Sequence, residues 1–313
     1  MKIPVLHVGR GAVAGPVTLF PVWTELEHLD GLQAGADAHV GVAEMPAGAQ
    51  VSLLSIANPG PWPVLLVEGE LLEGGWQTRS LARDLLLAPG ATATADVVCV
   101  EEDRWEGDAT HTRRARHASP SVRAALRGEA ADPDGGIFHP GGNTQHQQSR
   151  QHAVWDSVSR YKPASGSAKS KSLAGYLDRI GDSASDRPRT LPGQCGVVVG
   201  IAGWPVSMEL FGSRDALIAH LPGIAAAARL DARLLRSQAP QAISEPVPGR
   251  RARRFAEVIG EIPLAEAAPT AGDGVVLSGN GPWTAIRGIA TVDGQIAHLS
   301  VLNLRHQLLR AAA

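Results

Sequence analysis

The stretch from Val64 to Trp105 constrains the chain most, because apolar runs and turns alternate there too quickly for helices. It reads VLLVEGELLEGGWQTRSLARDLLLAPGATATADVVCVEEDRW. Val64–Val67 is followed at once by Glu68-Gly69-Glu70, Leu85–Leu87 is closed by Pro89-Gly90, and Val97–Val100 runs into Glu101, Glu102, Asp103, Arg104 and Trp105. Short apolar runs bounded by Gly, Pro and charge fit strands of a sandwich core. Charged side chains at several strand ends can then converge, and this stretch is expected to be the centre of the protein.

The 313 residues can bury a large core, in one domain or two. A formal charge of −2 gives no general attraction to nucleic acid or anionic membrane. No apolar run approaches the roughly 20 residues of a membrane span, and Met1-Lys2-Ile3-Pro4 does not open a signal peptide. A soluble, cytoplasmic protein is expected. Cys99 and Cys195 are the only cysteines, too few for a disulfide framework and without metal-type spacing.

From the start to Trp105 the pattern is short strands with turns at intervals of about 8–12 residues, as in an all-β sandwich or barrel. Val17–Trp23, Val40–Met45 and Val51–Ala57 read as strands, and Asn58-Pro59-Gly60 as a turn. Leu29–Ala36 reads as a helical turn. Ala118–Arg127 predicts a short helix with Ser119 as cap and Pro120 at its first position. Most of the segment up to Gln148 is Pro/Gly/Gln-rich and reads as loop. Gln147–Tyr161 predicts a helix, and Leu173, Tyr176, Leu177 and Ile180 mark an amphipathic one. Gln194–Phe211 reads as a hairpin turning at Ala202-Gly203, and the helix after Ser213 should be kinked or split by Pro222. Beyond a Pro-rich linker, Asp293-Gly294 joins the strands of a C-terminal hairpin. The fold class is therefore α+β, with a β-sandwich-like N-terminal half, packed helices and a C-terminal β-hairpin. Residues 1–235 form the main domain and 250–313 a β-rich extension that either stands apart or rejoins the same domain.

Two blocks in this sequence resemble a known family. Gly69-Glu70-Leu71-Leu72-Glu73-Gly74-Gly75-Trp76-Gln77-Thr78-Arg79 is similar to a Gly-Glu-Glu-Leu-x-Gly-Ala-Lys-Gln-Asn-Arg signature, and Val98-Cys99-Val100-Glu101-Glu102-Asp103-Arg104-Trp105 to Ser-Cys-Val-Glu-Gln-Gly-Arg-Trp. Both signatures mark the uncharacterised ARG and rhodanese-phosphatase-superfamily-associated protein domain family. Asn58, Gln151–Trp155 and Gly193–Phe211 also look like family positions, so the resemblance covers roughly residues 17–235. The departures are Leu71 for Glu, Trp76 for Lys and Thr78 for Asn, which remove a cation and add a stacking surface. The family's association with ADP-ribosylglycohydrolases implies a role around NAD-derived nucleotides such as ADP-ribose.

On that implication, Glu70 and Glu101 are the candidate catalytic pair, since carboxylates stabilise an oxocarbenium-like state or move its proton. Glu68, two residues from Glu70, would share its face in a strand. Arg79 and Arg104 could clamp a phosphate, Gln77 could hold the ligand, and Trp76 or Trp105 could stack on a ring. The competing reading makes these glutamates partners of backbone turns or of Arg79 and Arg104, with Trp105 buried and Cys99 a small buried hydrophobe. His111, His117, His139, His146 and His152 read as exposed loop histidines, with no metal site. The basic runs Arg113–Arg127 and Arg250–Arg254 read as solvated or partner-docking faces. No cofactor motif is present: Gly74-Gly75 lacks the Gly-Lys-Ser/Thr of a phosphate loop. The expected partner is a small nucleotide, with nucleic acid and membrane disfavoured. The alternative function is a non-catalytic binding or scaffolding module.

Overall fold

Strand Val17–Trp23 pairs with Gly196–Ile201 across almost its whole length, which ties the chain's start to its second half. The computed structural model describes residues 1–25, 28–48, 50–128, 144–163, 171–180, 188–239 and 245–310, with side chains from 147 onward in the helix that starts at 144. Val17–Trp23 and Gly196–Ile201 belong to a nine-stranded antiparallel sheet, which continues through Trp204–Phe211, Ile296–Asn303, Thr284–Ala290 and Val275–Asn280 to Ala265–Ala267. The strands beyond residue 250 thus complete the main sheet, through the expected hairpin at Asp293-Gly294. They do so because Trp204–Phe211 exposes a free edge that only Ile296–Asn303 fills.

The N-terminal half is a sandwich, as its punctuation predicts. A six-stranded sheet contains His111–His117, Glu70–Gly74, Arg79–Leu81, Thr92–Cys99, Leu53–Ala57 and Gly41–Ala43. A three-stranded sheet of Leu85–Leu87, Val64–Leu66 and Gln33–Ala34 packs on it. Gln33–Ala34 pairs in parallel with Val64-Leu65, so the expected helical turn is a short strand. Alternation sorts the larger sheet's side chains. Leu72, Leu81 and Val97 face the smaller sheet, and Leu71, Val98 and Val100 face the helices.

Those helices are Pro120–Arg127, Thr144–Ser159 and Leu173–Ile180, together with the far end of the long helix Arg214–Gln238. Ser119 caps the first as expected, accepting the Val122 N–H, and Asp231 on the long helix accepts the Ser121 N–H at 2.9 Å. Gln151 binds both the N–H and the carbonyl of Cys99, at 2.9 and 2.8 Å, and stands in for a neighbouring strand. The long helix runs unbroken through Pro222, contrary to expectation. Proline frees the carbonyl of Ile218, and both Ile218 and Pro222 are exposed, so water can satisfy it. The next residue, Gly223, sits against strand His111–His117, where a Cβ would come within 2.1 Å of the Ala115 carbonyl oxygen.

The basic run between 113 and 127 differs most from its sequence reading. Arg113 and Arg123 are not solvated but buried in ion pairs, as is the Arg127 guanidinium. His111 and His117 are buried too, whereas His152 is exposed as expected. His139 and the side chain of His146 lie outside the described residues. Strand His111–His117 lies at the edge of the sandwich where the long helix covers it, so its polar residues turn inward to partners on other elements.

Candidate functional site

The two motif blocks meet at one rim of the sandwich. Cys99 pairs with Arg79 and Val98 with Ser80 in adjacent antiparallel strands, which places the residues after Cys99 beside those before Arg79. Glu101 Oε2 accepts the Thr78 N–H at 2.9 Å and Arg104 at 2.7 Å, and Gln77 donates to the Glu101 carbonyl at 3.2 Å. Burial works against the Glu101 charge, but these hydrogen bonds outweigh it and hold its carboxyl below the usual range. Glu101 Oε1 has no hydrogen-bond partner among the described residues.

Arg104 also donates to the carbonyls of Gly74, Gly75 and Glu106, at 3.2, 2.8 and 2.8 Å. Gly74 and Gly75 have φ of +85° and +57°, the left-handed region that glycine enters without cost, and this turns their carbonyls toward Arg104. Trp76 and Trp105 form an edge-to-face pair with centroids 5.6 Å apart. Trp105 is 43 % exposed, not buried.

Beneath Trp105 lies Arg79, fully buried, its guanidinium carbon 5.4 Å from the ring centroid. It donates to the carbonyls of Gln50 and Val51, at 2.8 and 3.0 Å, and reaches Glu44 at 3.5 Å. Glu44 Oε1 also accepts the Trp76 N–H at 3.3 Å and lies 3.2 Å from His111 Nε2. Glu44 Oε2 and Arg79 Nε are buried without hydrogen-bond partners. Cys99 is fully buried, as expected of a small packed hydrophobe, and burial pushes its thiol up to about 11.

Glu68 and Glu70 lie in a different set. They do not share a strand face, because Glu68-Gly69 forms a turn with Gly69 at φ +89° and the strand starts only at Glu70. Glu70 is fully buried and accepts Arg113 Nε at 2.7 Å. Glu68 meets Arg123, Arg127 and Arg287, at 3.2, 2.8 and 3.7 Å. Burial raises its carboxyl pKa, but the three guanidiniums overcome that and hold it at about 2. Arg123 continues to Glu209 at 2.7 Å and to the Ser300 hydroxyl. His298 lies between Asp84 at 2.8 Å and Glu209 at 3.4 Å, and these carboxylates outweigh its burial to raise it to about 9. Beside them, His117 Nε2 and His220 Nδ1 are 2.9 Å apart, and burial depresses both pKa values, that of His220 to about 4. This network joins the sandwich to the nine-stranded sheet. Of its members, Arg113 and Arg123 lie in the basic run expected at a solvated or partner-docking face. Asp84, Glu209, Arg287 and His298 have no role in the sequence reading, and of these Glu209 alone has a signal, as a charge in the buried strand Trp204–Phe211.

Among the described residues no group of His, Cys, Asp and Glu could hold a metal, and no helix is long and apolar enough to cross a membrane. The fold and site define an α+β protein in which a motif-built rim and a buried ion network occupy separate places. A family profile for the ARG and Rhodanese-Phosphatase-superfamily-associated Protein domain matches residues 5–302, and the chain belongs to that family. The match extends beyond the 17–235 of the sequence resemblance and takes in the C-terminal strands, which share the main sheet. No curated protein and no solved structure matches.

Proposed function

We propose that the protein is a binding module that recognises the adenosine end of an NAD-derived nucleotide such as ADP-ribose without turning it over. One observation carries the reading: the rim gathers Trp76, Glu101 and Trp105 where solvent reaches them, with Gln77 buried and bonded to the Glu101 carbonyl, while Glu70 is buried against Arg113 in another set. A base would stack on Trp105, and a ribose hydroxyl or exocyclic amine would donate to Glu101 Oε1. Glu70 and Glu101, the acid/base candidates, would then act separately, the first in structure and the second in binding. Arg79 and Arg104 direct their donors to Gln50, Val51, Gly74, Gly75 and Glu106 carbonyls, so they support the rim and leave the phosphates to solvent. Family membership is the reason for an NAD-derived ligand; the geometry is the reason for binding alone.

Calorimetry with ADP-ribose, NAD and AMP, with product analysis of the same mixtures, tests this. Binding of at least one nucleotide with no product is expected, and Trp105→Ala should weaken it about tenfold, as loss of one stacking platform does. Hydrolysis of any nucleotide that Glu70→Gln abolishes would restore the enzyme reading, and silence across the panel would leave only the scaffold.

A further inference from the structure

A concave site lies away from the rim, where the long helix begins. A recess of about 390 Å³ is bounded by Trp62, Asp30, Gly31, Ser213, Arg214 and Asp215. That volume is near the small end of ligand pockets, roughly 300–1,000 Å³, and suits one ring better than a dinucleotide.

The recess is built, not incidental. Asn58 fixes the loop that presents Trp62: its side-chain amide donates to the carbonyls of Trp62, Leu87 and Ala88, at 2.8, 3.2 and 3.0 Å, and its oxygen accepts the Gly60 N–H at 3.0 Å. Gly31, at φ +74°, backs the indole, where a Cβ would lie 3.0 Å from the ring. The other side of Trp62 stays open, and the residue is 53 % exposed. Ser213 stands at the N-cap of helix Arg214–Gln238, yet its hydroxyl makes no cap hydrogen bond. It is 5 % exposed and lines the recess.

The charges select the guest. Asp30 and Asp215 offer only acceptors, Arg214 and the N–H groups of the first helical turn offer only donors, and His28 and Gln33 in the same lining can do either. A phosphate meets two carboxylates against one guanidinium. A cation meets Arg214 and the positive end of the helix dipole. A neutral hydroxyl both donates and accepts, and adjacent hydroxyls can bridge a carboxylate and an N–H together. The open face of Trp62 covers the apolar C–H face of a saturated ring.

We propose that this recess is a binding site for a neutral sugar ring, furanose or pyranose, held face-on by Trp62 with vicinal hydroxyls bonded to Asp30, Asp215 and Ser213. It is independent of the rim, whose residues do not line it.

The test is a titration of ¹⁵N-labelled full chain with D-ribose, methyl α-D-glucopyranoside and ribose 5-phosphate, following the Trp62 indole N–H signal assigned by its loss in Trp62→Ala. At least one neutral sugar should shift that signal saturably, and ribose 5-phosphate should bind more weakly than ribose. Which neutral sugar binds tighter reports whether the site takes a five- or six-membered ring. Trp62→Ala and Asp215→Asn should each weaken binding about tenfold, and Trp105→Ala should leave it unchanged. Ser213→Ala, which removes one oxygen, gives a second reading should Trp62→Ala lower the thermal midpoint. No shift with either neutral sugar, tighter binding of the phosphate, or full affinity in both Trp62→Ala and Ser213→Ala would overturn the proposal.

Discussion

Glu68 and Glu101 show how two carboxylates of one motif region take different roles from their surroundings. Glu68 is 1 % exposed and carries three guanidiniums, so its removal leaves buried positive charge unmatched. Breaking a buried pair on one side costs about 3–5 kcal/mol, and Glu68→Gln should lower stability by that order in urea denaturation. Glu101 is half-buried with one guanidinium, and an ion pair of that exposure contributes up to about 1 kcal/mol. Glu101→Gln should therefore cost much less while still altering ligand affinity at the rim. Equal losses for the two variants would contradict the burial assigned to Glu68.

At the scale of elements, the long helix Arg214–Gln238 carries an apparent contradiction at Pro222-Gly223. The proline is exposed and removes a hydrogen bond whose carbonyl solvent can reach, whereas the glycine is a contact with no room for a side chain. Pro222→Ala restores the helical N–H and should raise the thermal midpoint, with up to about 3 kcal/mol available. Gly223→Ala drives a Cβ into the Ala115 carbonyl and should lower the midpoint, separating the helix from strand His111–His117. A destabilising Pro222→Ala would mean that proline sets the path of the helix over the sheet. The short helix Pro120–Arg127 illustrates the converse. Its cap and first proline were readable in the sequence, but the direction of Arg123 and Arg127 was not, because it depends on Glu209 and Ser300, far along the chain.

For the whole molecule, the buried network makes stability depend on pH from both sides. Glu68, depressed from 4.5 to about 2, contributes fully above 4.5, and that contribution is lost as pH falls toward 2. His220, depressed from 6.5 to about 4, resists protonation in the fold, so stability also falls as pH drops from 6.5 toward 4. His298, raised from 6.5 to about 9, contributes fully below 6.5, and that contribution is lost as pH rises through 9. The thermal midpoint should therefore peak near pH 6.5. Its alkaline limb should be worth on the order of 3 kcal/mol, from the His298 shift at about 1.4 kcal/mol per pKa unit, and His298→Asn should flatten it. A wild-type midpoint constant between pH 7 and 9 would contradict a protonated His298. By itself the sequence determined the sandwich, the cap of helix Pro120–Arg127, the hairpins and the meeting of the two motif blocks, because turn residues, alternation and capping act over a few neighbours. Tertiary structure alone decided which arginine neutralises which glutamate, that the basic run lies inside, and that the last strands complete the first sheet. Those outcomes depend on charges and strand edges far apart in the chain, and local pattern carries no record of which distant group will supply the compensating charge or the missing hydrogen bonds.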